Sequence, residues 1–290
     1  MESVPAFLTD KIPLGKWVDD FVDFITDRFD DELDLFSDGL GFLIEGSVNL
    51  LAAVPPLVLV ALVAALAYWL HRSASLVVAV AAGLLLILNL GYWDETVQTI
   101  ALVVWATVIS IIFGVPLGIA AAHRPWLYGV IRPVLDLMQT LPTFVYLIPT
   151  LILFGLGMVP GLISTVIFAI PAPIRLTYLG VSGVPRHLIE AGQAFGTTRL
   201  QLLFKVELPH AMPTIMAGVT QCIMLSLSMV VIAALVGAEG LGAPVVRALN
   251  TVNIAQGFEA GLSIVIVAIL LDRILKRAEP PGAAGGKPGP

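Results

Sequence analysis

Residues 181–211 read VSGVPRHLIEAGQAFGTTRLQLLFKVELPHA and separate two apolar runs, 159–180 and 212–236. We call this stretch the connecting loop. Pro185 is typical of the start of a helix, and Gly196 is typical of the residue that ends one. The first half of the connecting loop is therefore predicted to form a short helix that stops in a tight turn.

A second short helix is predicted after the turn. Thr197 or Thr198 can cap its first turn, and Pro209 is predicted to terminate it. Arg199 and Lys205 flank its apolar face. That face consists of Leu200, Leu203 and Phe204. Such a compact helix-turn-helix is typical of a docking surface for a soluble partner, but an ordinary amphipathic loop helix fits the periodicity equally well.

The composition of the whole chain shows what surrounds this loop. Of the 290 residues, 58% are hydrophobic and 12% are charged, and the mean hydropathy is +0.96. Soluble domains carry roughly 25% charged residues, so this chain cannot cover a water-exposed surface. The sequence therefore predicts an all-α polytopic membrane protein.

About seven runs are apolar and long enough to cross roughly 30 Å of hydrocarbon as helices of ~20 residues. They are 51–70, 75–93, 97–122, 133–157, 159–180, 212–236 and 257–274. The fourth run contains Pro142 and Pro149, and the fifth contains Pro171 and Pro173. Because proline removes a backbone donor, both runs are expected to be buried in the helix bundle, where neighbours compensate.

The basic residues orient the chain, because cytoplasmic loops retain Lys and Arg. With the N-terminus outside and the C-terminus in the cytoplasm, 11 of the 15 basic residues lie on the inner side. These are Arg72, Arg124, Arg132, Arg175, Arg186, Arg199, Lys205, Arg273, Lys276, Arg277 and Lys287. This topology places the connecting loop in the cytoplasm.

The N-terminal part differs in charge from the rest. Residues 1–45 contain 12 acidic and 3 basic residues, and apolar residues recur at helical spacing from 16 to 44. We predict an extracytoplasmic, acidic amphipathic segment over 1–48 that packs on the rest of the protein. A membrane domain follows over 49–275, and a disordered, Pro/Gly-rich cytoplasmic tail over 276–290.

No pattern in the chain indicates catalysis. Cys222 is the only cysteine, and the four histidines do not form HExxH or another metal-binding spacing. The phosphate-binding sequence GxxxxGK[ST] does not occur. We therefore expect no metal site, no ATP site and no catalytic residue in this chain, and no nucleic-acid partner for a chain of net charge −6.

The connecting loop also resembles a known family. It is similar to the EAA loop of ATP-binding-cassette importer permeases, whose pattern is EAA, three residues, G, nine residues, I, one residue and LP. The matching positions are Glu190, Ala191, Gly192, Gly196, Val206, Leu208 and Pro209. Gly192 departs from the alanine, and Val206 from the isoleucine, that the pattern prefers.

The flanking segments resemble one branch of that family. Residues 138–180 and 213–242 are similar to permease subunits of glycine betaine and proline betaine importers, and the similarity extends over 90–275. The N-terminal IPLGKWVDDFVDF resembles the longer, proline/glycine betaine branch. This resemblance implies the type I ABC-importer permease fold in the inner membrane of a prokaryote.

In such a family the permease forms the translocation path and performs no chemistry itself. The resemblance implies a separate ATPase subunit that binds ATP and Mg²⁺, a separate extracytoplasmic solute-binding protein, and a homodimer of permeases in membrane lipid. It implies that Glu190 makes a charged contact or a helix cap at the ATPase and that Gly196 permits the tight turn. Leu208–Pro209 fixes where the chain re-enters the membrane, and Ala191 and Gly192 complete the ATPase-coupling site.

Polar residues beside the proline-broken fourth run are candidates for the lining of the translocation path. They are Gln139, Thr140, Thr143 and Tyr146. Polar groups at membrane depth usually face a cavity or another helix. These side chains can equally well satisfy the backbone groups that Pro142 leaves unpaired.

Two further features have competing interpretations. Asp136 and Arg175 can form a gate or a simple interfacial ion pair, and the ion pair is the preferred interpretation. Glu239 stands in GAEGLG where the family commonly has a glycine, so the outer turn after the sixth run is expected to differ.

Other functions compete with import of betaines. The same machine can carry another small solute, such as an amino acid, choline or a sulfonate. An ion-coupled secondary carrier is expected to show repeat-derived broken helices and ionisable groups at the midplane, which are not evident in this sequence. A membrane scaffold without a transport role would leave the spacing of the connecting loop as a coincidence.

Overall fold

The computed structural model describes residues 13–275. Every regular element in this range is a helix, and no strand occurs among these residues. The all-α prediction is confirmed. The predicted disordered tail over 276–290 lies outside the described residues, as do the first twelve.

We number the α-helices of the described range α1 to α13 in chain order. Their bounds are Leu14–Ala52, Pro56–His71, Ala74–Leu90, Trp93–His123, Pro125–Thr140, Phe144–Phe154, Met158–Ala169, Pro171–Ser182, Arg186–Ala194, Arg199–Leu202, Leu208–Ala233, Gly242–Thr251 and Ile254–Leu275. A π-helical turn, Leu203–Glu207, joins α10 to α11, and a 3-10 turn, Ala234–Val236, extends α11.

The helices differ in whether they are long and apolar enough to cross a membrane. By length and composition, five units of the described chain qualify: α1, α4, α7 with α8, α10 through the 3-10 turn, and α13. α5 and α6 together form a sixth, broken candidate. α2 and α3 occupy the first two predicted runs but have 16 and 17 residues, so each is about 25 Å long, somewhat short of roughly 30 Å of hydrocarbon.

The fourth predicted run is broken rather than continuous. α5 and α6 meet at an angle of 97°. Leu141 has extended backbone angles, as the ring of the following Pro142 favours, so α5 ends there. The Tyr146 hydroxyl group donates a hydrogen bond to the Met138 carbonyl oxygen and ties the two helices together across the bend.

Burial also differs between the two proline-containing runs. α6 exposes much of its apolar surface, including Phe144 and Ile148, so the expectation that the fourth run is buried is wrong for this half. In contrast, α7 and α8 continue as one unit, Met158–Ser182, and 61% of its apolar stretch is buried inside the protein. Pro171 and Pro173 lie in the buried middle of that unit, and Pro171 stands in the first turn of α8, which tolerates a residue without an N–H group.

α8 packs between α4 and α11 with no space for additional side-chain atoms. A β-carbon on Gly118 of α4 would lie 2.7 Å from the Ile174 carbonyl oxygen and 2.7 Å from the Thr177 β-carbon. A β-carbon on Gly218 of α11 would lie 3.0 Å from that of Leu176. Small residues let helix backbones approach closely in a membrane, where van der Waals packing drives association. These contacts fix α8 relative to both neighbours.

α1 packs on the bundle mainly through its second half. Ile44 is buried in a cluster with Leu162 of α7, and the Trp105 indole N–H of α4 donates to the Ser47 hydroxyl oxygen at 3.1 Å. In the first half of α1, most of the described side chains are exposed, and Val22 is the one that is buried among them. The predicted packing of the acidic segment on the rest of the protein therefore holds for its second half.

The close packing around Gly118 gives a test with a matched control. Gly118→Ala is expected to lower the stability of the detergent-solubilised protein by about 1–3 kcal/mol, because the new methyl group collides with backbone atoms of α8. Gly129→Ala adds the same methyl group to α5, where nothing lies within 4 Å, so it should be neutral or stabilising by up to about 1 kcal/mol. Thermal unfolding followed by tryptophan fluorescence compares the two variants. Equal unfolding temperatures would contradict the packing described.

Candidate functional site

The turn in the connecting loop closes α9 with a Schellman motif. Gly196 has a φ of +73°, a left-handed conformation that glycine adopts without a steric penalty. Its N–H group donates to the Gln193 carbonyl oxygen at 2.9 Å, and the Thr197 N–H group donates to the Gly192 carbonyl oxygen at 3.3 Å. These two bonds satisfy the last carbonyl groups of α9 and reverse the chain, as predicted for Gly196.

The second short helix begins with a capping box. Gln201 N–H donates to the Thr198 hydroxyl oxygen at 3.3 Å, and Thr198 N–H donates to the Gln201 side-chain oxygen at 2.9 Å. Of the two threonines proposed as caps, Thr198 therefore caps α10, and Thr197 belongs to the turn. The Thr197 hydroxyl group instead donates to the Gly192 carbonyl oxygen at 2.8 Å.

A β-carbon on Gly192 would lie 2.7 Å from Leu202 Cδ1 and 3.7 Å from Val206 Cγ2. Leu202 is buried, so its side chain fills the space that an alanine at position 192 would need. The departure from the alanine of the EAA pattern is therefore matched by a leucine packed against it.

The chain does not leave helical structure at Pro209. From Arg199 to Val236 it forms one 38-residue helical unit in which the π turn precedes Leu208 and Pro209. Pro209 lies in the first turn of α11, and the wider π turn accommodates the missing backbone donor. The prediction that Pro209 terminates the second helix is wrong, because that helix continues directly into α11.

The surface of the connecting loop combines exposed apolar side chains with one unpaired acid. Phe195, Leu200 and Phe204 are 89%, 68% and 64% exposed. Glu190 is exposed and makes no hydrogen bond or ion pair within residues 13–275. Ala191 is exposed beside it. An apolar surface of this kind, with a free carboxylate at its edge, is suited to a protein partner.

A hydrogen-bonded pair of a buried acid and a histidine whose side chain is 46% exposed lies where the connecting loop joins α4 and α11, and the sequence analysis missed it. Glu207 of the π turn is 5% exposed, and its Oε2 lies 2.9 Å from Nε2 of His123, the last residue of α4. Next to this pair, Val181 of α8 and Ala211 of α11 are buried in an apolar cluster. Sequence separation hides such a contact, but an acid between Val206 and Leu208 in an apolar stretch was a usable signal.

The four candidate path residues lie around the bend between α5 and α6. Gln139 and Thr140 are exposed in the last turn of α5, and Thr143 lies in the break. The Thr140 hydroxyl group donates to the Leu137 carbonyl oxygen at 3.2 Å, and Tyr146 donates to backbone as described above. Only Tyr146 fits the alternative interpretation, because the Met138 carbonyl oxygen is the one that Pro142 leaves unpaired, whereas the Leu137 carbonyl oxygen already accepts from the Leu141 N–H group at 3.0 Å. The part of the four residues in a path stays a prediction.

Two side-chain contacts hold α5 against α8. Arg175 Nη2 donates to Asp136 Oδ1 at 2.6 Å, so these two residues do pair. The rings of Tyr128 and Tyr178 stack with their centroids 3.5 Å apart and an interplanar angle of 4°. The orientation of α5 therefore depends on specific contacts as well as on the bend.

The turn that contains Glu239 lies at the other end of α4. Glu239 Oε2 accepts a hydrogen bond from the Gln98 amide at 2.5 Å, and Leu241 N–H donates to the Thr99 hydroxyl oxygen at 2.8 Å. Gln98 and His123 are separated by most of α4, so this turn and the connecting loop are at opposite ends of the bundle. A cavity of about 760 Å³ opens beside the turn, bordered by α1 and α7.

No group of three or more His, Cys, Asp or Glu side chains within residues 13–275 is arranged to hold a metal ion. Cys222 is fully buried in α11.

Comparison with known proteins identifies the family and the relatives of this chain. Residues 114–280, which are 167 of 290, match the family described as binding-protein-dependent transport system inner membrane component. The chain is 50% identical to the glycine betaine transport system permease protein OpuAB of Bacillus subtilis, over 91% of this chain and 93% of that protein. It is 44% identical to the glycine betaine/proline betaine transport system permease protein ProW of Escherichia coli, over 91% of this chain and 74% of that protein.

A solved structure has the same fold. The MetNI methionine ABC transporter in inward-facing conformations superposes with a TM-score of 0.55 and 23% identity, covering 61% of this chain and 91% of the transporter chain. This likeness confirms the predicted fold of an ABC importer permease. The chain therefore belongs to the family of inner membrane components of binding-protein-dependent transport systems.

Proposed function

We propose that this chain is the permease subunit of an ATP-driven importer of glycine betaine and proline betaine. The observation that carries the proposal is the identity of 50% to a glycine betaine permease over 91% of the chain. The family match includes the whole connecting loop. As a multi-pass membrane permease of a bacterial transport system, the chain supplies the path across the bilayer.

The connecting loop is the docking site for the ATPase subunit in this proposal. Phe195, Leu200 and Phe204 expose apolar side chains that are costly to leave in water, and burial against a partner removes that cost. Glu190 is unpaired at the edge of this surface and is available to a cationic side chain of the ATPase. The coupling site comprises Glu190, Ala191, Gly192, Gly196, Leu208 and Pro209.

Motion of the connecting loop can reach the membrane without passing through a flexible joint. α10, the π turn and α11 form one helical unit, so a displacement of α10 rotates α11 directly. α11 packs against α8, and α8 against α4, through contacts that leave no free space. Closure of the ATPase can thus alternate the access of the path between the two sides of the bilayer.

Other chains supply the remaining parts of the transporter. This chain has no phosphate-binding loop, so we place ATP and Mg²⁺ on the ATPase subunit and assign no catalytic activity to the permease. A second permease copy would cover apolar surface such as that of α6, and lipid would cover the rest. The basic residues support an extracytoplasmic N-terminus and a cytoplasmic C-terminus.

The choice of solute is made largely outside this chain. A quaternary ammonium group is held best by aromatic faces, and in this proposal an extracytoplasmic binding protein provides them. The permease needs only a weak and transient lining, for which Gln139, Thr140, Thr143 and Tyr146 at the bend are candidates. Choline, an amino acid or a sulfonate remain the alternative cargoes that a transport assay distinguishes.

Uptake by the purified complex tests the proposed function. Proteoliposomes that contain the permease and its ATPase are supplied with ATP on the ATPase side and binding protein on the other, and labelled glycine betaine is followed. We expect uptake that requires ATP and that excess unlabelled glycine betaine or proline betaine abolishes. If only another solute competed, that solute would be the cargo of the transporter. Uptake without ATP would contradict the proposal.

A charge reversal tests the docking site. Glu190→Lys is expected to reduce copurification of the ATPase by more than roughly tenfold, because a carboxylate contact becomes a repulsive one. Asp30→Lys reverses another exposed acid, on the first half of α1, and should copurify normally. An unchanged elution volume and unfolding temperature of the isolated permease would show that the variant is folded. Full copurification with Glu190→Lys would refute the assignment of Glu190.

A further inference from the structure

The contact between His123 and Glu207 joins two elements that the proposed function requires to move together. His123 ends α4, and Glu207 ends the π turn between the connecting loop and α11. The distance of 2.9 Å between His123 Nε2 and Glu207 Oε2 is that of a hydrogen bond. The Glu207 side chain is only 7% exposed, so water is largely excluded from its carboxyl group.

The hydrogen bonds of the His123 ring require a proton shared with Glu207. His123 Nδ1 lies 2.9 Å from the Ile119 carbonyl oxygen, which can only accept, so Nδ1 carries a hydrogen. A neutral ring with that hydrogen has a bare lone pair at Nε2, directed at an oxygen of Glu207. One more proton must therefore lie between Nε2 and Oε2, either on the ring or on the carboxyl group.

The surroundings of the pair leave the buried Glu207 dependent on His123, whose own side chain is 46% exposed. Val181, Ala211 and Ile215 form the buried cluster beside it, with Ile119 and Leu208 packed against them. Apolar neighbours make an unpaired carboxylate costly, because they offer it no hydrogen bonds.

Other charged groups on the neighbouring elements are directed elsewhere. Arg124, Lys205 and His210 are exposed, and their side chains form no ion pair or hydrogen bond within residues 13–275. Arg175, the charged residue of α8, pairs with Asp136 of α5. Tyr178 of α8 and Tyr128 of α5 stack on each other, and Arg132 of α5 is exposed.

We propose that His123 and Glu207 form a clasp that fastens the connecting loop to α4 and thereby couples ATPase closure to the bundle. The inference rests on the proposed function, since the loop couples only if an ATPase docks on it. His123 and Glu207 are positioning residues, because they act through α4 and α11 and touch neither ATP nor solute. The clasp holds as long as a donor at position 123 reaches the Glu207 carboxyl group.

Substitutions of His123 separate the hydrogen bond from the ring. His123→Gln keeps an N–H donor at a similar reach, so the amount of solute transported per hydrolysed ATP should be retained. His123→Phe keeps a ring without a donor and should lower this ratio roughly tenfold, because it leaves the buried Glu207 carboxyl group without its partner. His210→Phe removes an exposed histidine of α11 as a control.

Two measurements decide the inference. The first is transported solute per hydrolysed ATP in proteoliposomes. The unaltered chain, His123→Gln and His210→Phe should retain coupling, whereas His123→Phe should not. A normal ratio with His123→Phe, or a ratio with His123→Gln as low as that with His123→Phe, would overturn the clasp.

The second measurement is independent of transport. It is the thermal unfolding of the isolated permease in detergent. The unfolding temperature of His123→Phe should be lower than those of the unaltered chain, His123→Gln and His210→Phe, and equal unfolding temperatures would overturn the clasp. If the unaltered complex moves no solute with ATP, the proposed function fails, and this measurement still decides whether the clasp exists.

Discussion

The rest of the structure depends on the packing of α8 between α4 and α11. Atoms of Ile174 and Thr177 occupy the place that a side chain on Gly118 would need, and Leu176 occupies that of Gly218. Helices in such contact have little freedom to slide independently, because van der Waals packing rather than a hydrophobic driving force holds them in lipid. The three helices therefore form one body, and a force applied at one end of it is transmitted to the other.

That body reaches the connecting loop in two ways. α11 continues without interruption through the π turn into α10, and His123 binds Glu207 where α4 ends. The exposed rings of Phe195 and Phe204 lie in the connecting loop. A soluble ATPase that covers these rings therefore acts, through α10 and the π turn, on the packed bundle. This is how a chain without an ATP site can take part in ATP-driven transport.

Composition and local spacing predict some of this architecture, and tertiary contacts decide the rest. The apolar runs predict the membrane helices, and the spacing around Gly196 predicts the Schellman turn, because both depend on neighbours in sequence. The continuation of α10 past Pro209 depends on a π turn that local propensity does not indicate. The contact between His123 and Glu207 joins residues 84 positions apart, so only the fold reveals it.

The most direct test of the central claim is where the connecting loop docks. A photoreactive phenylalanine analogue in place of Phe195 should, on irradiation of the assembled complex, join the permease covalently to the ATPase subunit. The same analogue in place of Phe113, which is exposed in the middle of α4, should not. A cross-link from position 195 to lipid alone, or none to the ATPase, would contradict the account that this loop is the coupling site.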